Sequence, residues 1–318
     1  MFRQDRTNPS TAVSNWKGRT HTPKAWSSTA VSTWLNGGLF GGAPFLATGG
    51  TETTYGSYKV HTFLSSSNFV IVSGVAPALE VLIVAGGGSM MSYWETAGGG
   101  AGGMFTQAVS AGVGASTNAV TVGAGGAFAS SGSSGNKGSD SSFAIGGSTY
   151  TASGGGAAVG GSSSTQDGGS GAGGFSSGWS SYGGGTGVSG QGNSGGSGSG
   201  SAGGWGGRMS GGGGGGKGAM GSGGSSATST GGNGGTGGTN NYRTGSNITY
   251  AAGGGGSAFY TWYGTYQNTN AGTGTSGVSG NGNYYNSGAW VNGTDGSANR
   301  GGGGRAGGSG IVVIRYLV

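Results

Sequence analysis

Glycine runs recur along this chain from Gly86 to Gly310, among them Gly98–Gly100, Gly154–Gly156, Gly203–Gly207 (interrupted by Trp205), Gly211–Gly216, Gly253–Gly256 and Gly301–Gly304. They constrain the fold more than any other feature. Glycine brings no side chain to a core, disfavours helix by about 1 kcal/mol relative to alanine, and loses more backbone freedom on folding than other residues. What such runs can form is an extended helix with three residues per turn and no internal hydrogen bonds. Several of these, lacking side chains, can lie side by side with N–H and C=O groups bonding between neighbours and Cα–H···O contacts adding a second-order term. The strict Gly-X-Y period of a collagen triple helix is missing, so the expectation is a bundle of polyglycine II helices. The aromatic segments between runs become its turns, at the ends of rigid rods, where recognition residues usually sit.

A chain with 89 glycines in 318 residues could also be disordered. Two features favour order: charged residues make up only 6%, and aromatics reach 10%, spread along the whole chain. There is no cysteine, so neither a disulfide framework nor a thiolate metal site can supply stability. No stretch approaches the ~20 apolar residues of a membrane span, so no membrane insertion is expected. The start, Met1 to Arg6, lacks the apolar region of a signal peptide, which implies synthesis in the cytoplasm and another route out, if any. The net charge of +6 is uneven, with Arg3, Arg6, Lys17, Arg19 and Lys24 near the start. Charges this sparse suit a solvated docking tail better than a nucleic-acid arm.

Taken in order, residues 1–50 form one region and 51–318 another. In the first, Ser10-Thr11-Ala12-Val13-Ser14-Asn15-Trp16 returns as Ser28-Thr29-Ala30-Val31-Ser32-Thr33-Trp34. Its alternation suits an extended segment laid on a partner surface; a duplication in a flexible arm is the other reading. Trp16, Trp26 and Trp34 are its docking candidates. In the second region Tyr58–Phe63, Phe69–Val72, Glu80–Ala85, Gly103–Val109, Asn118–Val122, Ser142–Ile145, Thr149–Ala152 and Ile311–Tyr316 read as strands, and no segment has helical periodicity. Ile311–Tyr316 is expected to pair centrally with the early strands. The expected class is all-β: a sandwich-like core closed by N- and C-terminal strands, with the glycine bundle and its aromatic loops inserted.

Chemistry is poorly supported. His21 and His61 stand far apart with no carboxylate near either in sequence, and the seven acidic residues form no paired signature for acid/base work. Gly211–Gly216 with Lys217 imitates a phosphate-binding loop, but Gly218 stands where Ser or Thr must hold Mg²⁺, and no strand precedes or helix follows. No acidic calcium loop is readable. No enzyme activity, cofactor, metal or nucleic-acid partner is expected.

The functional signal is aromatic: Tyr93 and Trp94; Phe175 with Trp179 and Tyr182; Trp205; Tyr242; Phe259, Tyr260, Trp262, Tyr263 and Tyr266; and Tyr284, Tyr285 and Trp290. Tyr and Trp are rigid binding anchors, and the surrounding Asn, Ser and Gly add adaptable hydrogen bonding. The other reading is that these rings pad a bundle short of apolar surface. A mixture is expected, with 259–266 and 284–290 facing outward.

These residues resemble a known family. Tyr58-Lys59-Val60-His61-Thr62-Phe63, Leu82-Ile83-Val84-Ala85-Gly86-Gly87-Gly88, Gly98-Gly99-Gly100-Ala101-Gly102-Gly103, Val120-Thr121-Val122-Gly123-Ala124-Gly125-Gly126 and Gly307-Gly308-Ser309-Gly310-Ile311-Val312-Val313-Ile314-Arg315-Tyr316 look like the glycine-rich domain of bacteriophage tail-fibre and virion-appendage proteins. The likeness covers about residues 55–318 and leaves 1–50 outside, as the attachment region. The bundle is also similar in architecture to polyglycine-sandwich adhesins at phage fibre tips. The resemblance implies location in the virion, docking of the arm on other virion proteins, assembly as a homo-oligomer (a trimer), and aromatic loops that bind a host surface receptor, whether a glycan or an outer-membrane protein. An architectural capsid or tail decoration that binds no receptor is the alternative. Ice binding would need a flat, regular Thr-rich face, which the irregular aromatic loops oppose.

Overall fold

A computed structural model of the chain describes residues 43–91, 97–110, 112–129, 134–160, 164–177, 180–203 and 206–318. By contacts the chain divides into Met1–Pro44 and Phe45–Val318, and the strands of the described residues lie in the second unit. In order the strands are β1 (Leu46–Thr48), β2 (Thr51–Tyr55), β3 (Tyr58–Phe63), β4 (Ser67–Ser73), β5 (Leu79–Val84), β6 (Met104–Val109), β7 (Ser116–Thr121), β8 (Ser141–Ile145) and β9 (Ser148–Ala152). Shorter ones follow: β10 (Ser176–Ser177), β11 (Ser180–Ser181), β12 (Ser199–Gly203), β13 (Gly206–Ser210), β14 (Gly238–Asn240), β15 (Ile248–Tyr250), β16 (Ala258–Trp262), β17 (Thr265–Tyr266), β18 (Tyr284–Asn286) and β19 (Ala289–Val291). The series ends with β20 (Ile311–Leu317). Among the described residues the only helical turn is the short 3₁₀ segment Ser164–Gln166. All eight strand segments read from the sequence are strands, with ends moved by a residue or two.

Two antiparallel five-stranded sheets face each other, in the orders β1-β4-β7-β8-β9 and β2-β3-β20-β5-β6. Alternation along each strand sends one set of side chains inward. Ala47, Phe69, Ile71, Val120, Phe143 and Ile145 of the first sheet meet Phe63, Val81, Ile83, Val312 and Ile314 of the second in one buried cluster. This is the expected sandwich. β20 lies between β3 and β5, with Val313 opposite both Thr62 and Leu82. Such a strand is apolar on both faces because the second sheet is covered twice. On its outer side Val60, Leu82, Val84, Ile311 and Val313 pack under Tyr250 and Ala251, with Tyr242 and Ile248 against them.

Arg315 interrupts that apolar outer face and is satisfied from every side. Its Nε donates to Glu80, the residue directly across on β5, at 2.7 Å, and its Nη1 donates to the Tyr55 hydroxyl. The guanidinium also lies 4.2 Å from the ring centre of Tyr58 and 3.9 Å from that of Tyr242. The Tyr55 hydroxyl in turn donates to the carbonyls of Asn241 and Tyr242, which ties the β14–β15 hairpin to the sheet.

His61 is a fully buried titratable group of the sandwich. Its Nδ1 lies 2.8 Å from the Gly49 carbonyl, which can only accept, so in the neutral ring Nδ1 carries the proton and Nε2 accepts from the Tyr316 hydroxyl at 3.2 Å. Phe69 stands edge-on to the ring, and Glu52 and Lys59 pair at its outer margin. Burial lowers the His61 pKa below the ordinary 6.5, and the Gly49 carbonyl and Glu52 oppose this only in part. The Tyr316 hydroxyl is pushed up to about 12 by burial and by Glu52, and stays a donor. Below pH 6.5 the unfolded chain therefore binds a proton that the folded chain excludes. Stability is expected to fall as pH drops from the ordinary histidine value toward the lowered one, by at most about 1.4 kcal/mol per pH unit. Urea midpoints at about pH 7.5 and about pH 5.5 would measure the slope, and His61→Phe should flatten it whatever its effect on absolute stability.

The glycine runs form the expected bundle, and the hydrogen bonds carry its three-residue period. Gly98 N–H donates to Gly212 and Ala101 N–H to Gly215, a parallel pairing stepped by three on both sides; Gly100 to Gly156 and Gly103 to Ser153 is the antiparallel equivalent. Each helix thus presents successive amides to different neighbours. Gly211–Gly216 is the most enclosed run. Its amides donate to Ser257 and Gly254, to Gly174 and Gly171, and to Ser222 and Ala219. Its carbonyls accept from Gly98 and Ala101, from Gly232 and Gly235, and from Gly196 and Asn193, so six segments surround it.

The absence of a side chain, rather than freedom in φ, is what these positions require. None of Gly98–Gly103 or Gly211–Gly216 has a positive φ. Yet a Cβ built on Gly214 would lie 2.1 Å from the Gly99 carbonyl oxygen, and one on Gly125 would lie 1.9 Å from that of Gly307. Alanine enters where its methyl joins an apolar cluster, as at Ala101, Ala158 and Ala172. That selective filling explains why no strict Gly-X-Y period appears in the sequence.

Candidate functional site

The bundle has two unlike ends. Where Lys217 N–H meets the Ala251 carbonyl, the runs join the sandwich through the cluster under Tyr250. Where Gly211 N–H meets the Ser257 carbonyl, they join β16 and a group of short hairpins. At about 3.1 Å per residue, the six glycines from Gly211 to Gly216 separate these ends by roughly 19 Å.

The hairpins hold one another rigidly. β12-β13-β16-β17 is a continuous antiparallel sheet, and β18–β19 packs beside it. Buried Thr269 joins the two: its Oγ1 donates to the Ala258 carbonyl at 3.1 Å and accepts from Tyr285 N–H at 2.9 Å. Asn268 Oδ1 accepts from Ser287 N–H at 3.0 Å, and Ser257 Oγ from Asn283 N–H at 2.9 Å. Between the hairpins Trp290 is the hub of an aromatic cluster. It stacks on Phe259 at 6.1 Å and meets Tyr266 at 5.7 Å and Tyr285 at 5.4 Å, both steeply inclined. Edge-to-face pairs of this kind are worth about 0.5–1.5 kcal/mol each beyond burial. These rings stiffen the end of the bundle.

Two rings stand beyond that cluster. Trp262 is 50% exposed and Tyr263 66%, with their rings 5.1 Å apart and nearly perpendicular. Trp262 pairs with Thr265, so Tyr263 and Gly264 are the two central residues of the turn, with φ of +47° and +74°. Both central residues of such a turn must be left-handed, which is why Asn-Gly or Gly-Gly is the usual choice. A tyrosine in this conformation costs roughly 1–2 kcal/mol. The neighbouring hairpin uses the small Ser287 before Gly288 in the same geometry.

The other aromatic candidates are placed differently. Tyr260 lies under Arg208, whose guanidinium is 4.4 Å from its ring centre and whose Nη1 donates to the Ala227 carbonyl at 2.7 Å. Tyr284 is half-buried opposite Val291. Tyr182 is half-buried and stacks on Phe175 at 6.2 Å, near the small cluster of Met90, Met91, Ala97, Ala158 and Ala172. Tyr242 sits at the sandwich end against Arg315, where burial and Glu80 raise its pKa and Arg315 partly offsets them. The structure therefore brings Phe259, Trp262, Tyr263, Tyr266, Tyr285 and Trp290 together and leaves Tyr182 and Tyr242 elsewhere. Tyr93, Trp94, Trp179 and Trp205, and the arm's Trp16, Trp26 and Trp34, lie outside the described residues. Sequence reasoning missed Thr269, which looks like any loop threonine, and the turn formed by Tyr263 and Gly264.

The phosphate-loop imitation at Gly211–Gly216 has every amide committed to a carbonyl, and the Lys217 ammonium lies against the Gly190 carbonyl. No N–H there is left to cradle a phosphate. Among the described residues no group of three or more His, Asp or Glu side chains could hold a metal.

A two-layer β-sandwich extended by a glycine bundle with aromatic hairpins at its far end defines a class of glycine-rich structural domain. The chain belongs to the glycine-rich domain family, whose family model matches residues 62–317. No curated protein matches it.

Proposed function

We propose that the chain is a bacteriophage virion protein, a tail-fibre or adhesin component whose hairpin end binds a receptor on the host surface. The arm of residues 1–50, with Trp16, Trp26 and Trp34, attaches it to other virion proteins, and homo-oligomerisation, as a trimer, multiplies weak single-site contacts. The protein performs no catalysis. The observation that carries this reading is Tyr263. A bulky residue holds a strained left-handed position at the tip of a rigid hairpin, where asparagine or glycine would be more stable. Strain of this kind clusters at functional sites. A capsid or tail decoration without a receptor is the second reading, favoured by the packing of Phe259, Tyr266, Tyr285 and Trp290 against one another.

Tyr263→Asn separates the two. Relief of the turn, about 1–2 kcal/mol, outweighs or matches the ring pair lost with Trp262, about 0.5–1.5 kcal/mol. Thermal stability is thus expected to hold or rise, while binding of the bead-displayed protein to a panel of bacterial cells falls. Equal saturable binding by wild type and variant would place the receptor contact away from Tyr263, and no saturable binding by either would leave the decoration reading.

A further inference from the structure

The hairpin end is electrically blank. From Ala258 to Val291 there is no Asp, Glu, Lys, Arg or His. The nearest described cation on the same sheet, Arg208 on β13, is already occupied by the Tyr260 ring and the Ala227 carbonyl. What this end offers solvent is the perpendicular pair Trp262 and Tyr263, with Thr265 paired opposite Trp262, and Asn286 and Ser287 exposed at the tip of the adjacent hairpin. Elsewhere the chain does not lack charge in this way: Glu52, Lys59, Glu80 and Arg315 all lie on the second sheet of the sandwich.

A nucleic acid or an anionic lipid surface would need cations here, since both are held chiefly by Lys and Arg. A charged peptide would need an opposite charge for steering and register. Among uncharged partners, the chemistry that matches two exposed rings among hydroxyl and amide side chains is a polymer rich in hydroxyls and apolar on one face. A hexose ring fits this description: its C–H face lies on an indole or phenol ring through weak C–H contacts, and its hydroxyls meet amide and hydroxyl side chains. We infer that the pair Trp262 and Tyr263, with Thr265 beside it and Asn286 and Ser287 on the adjacent hairpin, binds an uncharged carbohydrate chain. The inference rests on the adhesin reading and narrows it from any receptor to a neutral glycan. Two rings set at right angles suit successive sugars of a chain better than one flat surface, and multivalent display raises the modest affinity of each contact.

The test uses the full chain on beads, with intact bacterial cells and with dextran, mannan and galactan as immobilised probes beside polygalacturonate as an anionic control. Cell binding should disappear after periodate cleavage of sugar diols and survive protease treatment of the cells. It should be competed by at least one neutral polysaccharide and stay constant between about 0.05 and about 0.5 M salt, across which screening of charges changes several-fold. Trp262→Ala should weaken it at least about tenfold, with a fall in thermal stability limited to its ring pair with Tyr263 and the covered half of the side chain. Because Tyr263→Asn keeps a favourable turn, it provides a second variant whose loss of binding cannot be a folding defect. Binding that resists periodate and is lost on proteolysis would overturn the carbohydrate while leaving the adhesin. A steep loss with salt would overturn neutrality of the ligand. Absence of saturable cell binding would overturn both.

Discussion

Gly214→Ala is expected to destabilise the domain by more than about 3 kcal/mol, near or beyond the upper end of what overpacking a core usually costs. The added carbon falls 2.1 Å from the Gly99 carbonyl oxygen and 2.6 Å from its carbon. Neither can give way, because Gly99 is backbone in a run that is itself bonded to other runs; its carbonyl also accepts from Gly254. At roughly 2–4 °C per kcal/mol for a domain of this size, the melting point should drop by about 6 °C or more. Two controls isolate the cause. Gly114 has nothing within 4 Å of a built Cβ and no positive φ, so Gly114→Ala should be neutral or stabilise by up to about 1 kcal/mol through the unfolded state. Gly264 is equally open but has φ +74°, so Gly264→Ala is limited to the conformational term of roughly 1–2 kcal/mol. Scanning calorimetry of the three variants should rank them Gly114, Gly264, Gly214 in order of increasing damage. A Gly214→Ala protein as stable as Gly114→Ala would mean that the runs are not in backbone contact.

The same contrast explains how much of the fold the sequence discloses. The strands of the sandwich were legible because β-branched and aromatic residues fill Val81–Val84, Phe69–Val72 and Ile311–Ile314, and apolar runs of that length have few other uses. The bundle was legible as a class of structure, but its pairings were not. Strand register is normally written in the alternation of side chains, and Gly211–Gly216 has none; nothing in six identical residues says that Gly212 donates to Gly174 while Gly213 donates to Ser222. β2 was missed because Thr51–Tyr55 is exposed on both faces and shows no alternation, its place being set by pairing with β3. The candidate site was legible as a set of aromatic residues and illegible as geometry. Trp290 and Trp262 look alike in sequence, each among tyrosines and small residues. Only the hairpin pairings turn one into the hub of a packed cluster and leave the other half exposed. Tyr263 defied the usual turn signal, because a bulky residue stands where asparagine or glycine is expected.

Removing residues 311–318 is expected to abolish cooperative folding altogether. β20 is the middle strand of the second sheet, and its loss leaves β3 and β5 as two unpaired edges facing a gap one strand wide. It also uncovers both hydrophobic clusters at once, since Val312, Ile314 and Tyr316 belong to the sandwich interior while Ile311 and Val313 belong to the outer face. These five side chains are all at most 2% exposed. At about 1.5–3 kcal/mol for each large apolar side chain buried, their contribution is comparable to the whole stability of a typical domain, about 5–15 kcal/mol. Arg315 goes with them, leaving Glu80 and the Tyr55 hydroxyl without the group that links the sheet to the β14–β15 hairpin. The bundle cannot compensate. Its helices have no internal hydrogen bonds and depend on being held in contact, and Gly310 N–H, at the mouth of β20, is itself bonded to the Gly123 carbonyl. The truncated chain should show no sigmoidal thermal transition and no near-ultraviolet dichroism from its many tyrosines and tryptophans. A synthetic peptide of residues 311–318, added in excess, should restore both in proportion to its concentration, because the gap it fills has the register of a single strand. A truncated chain that melts cooperatively without the peptide would show that the bundle folds on its own and that the sandwich is an appendage to it.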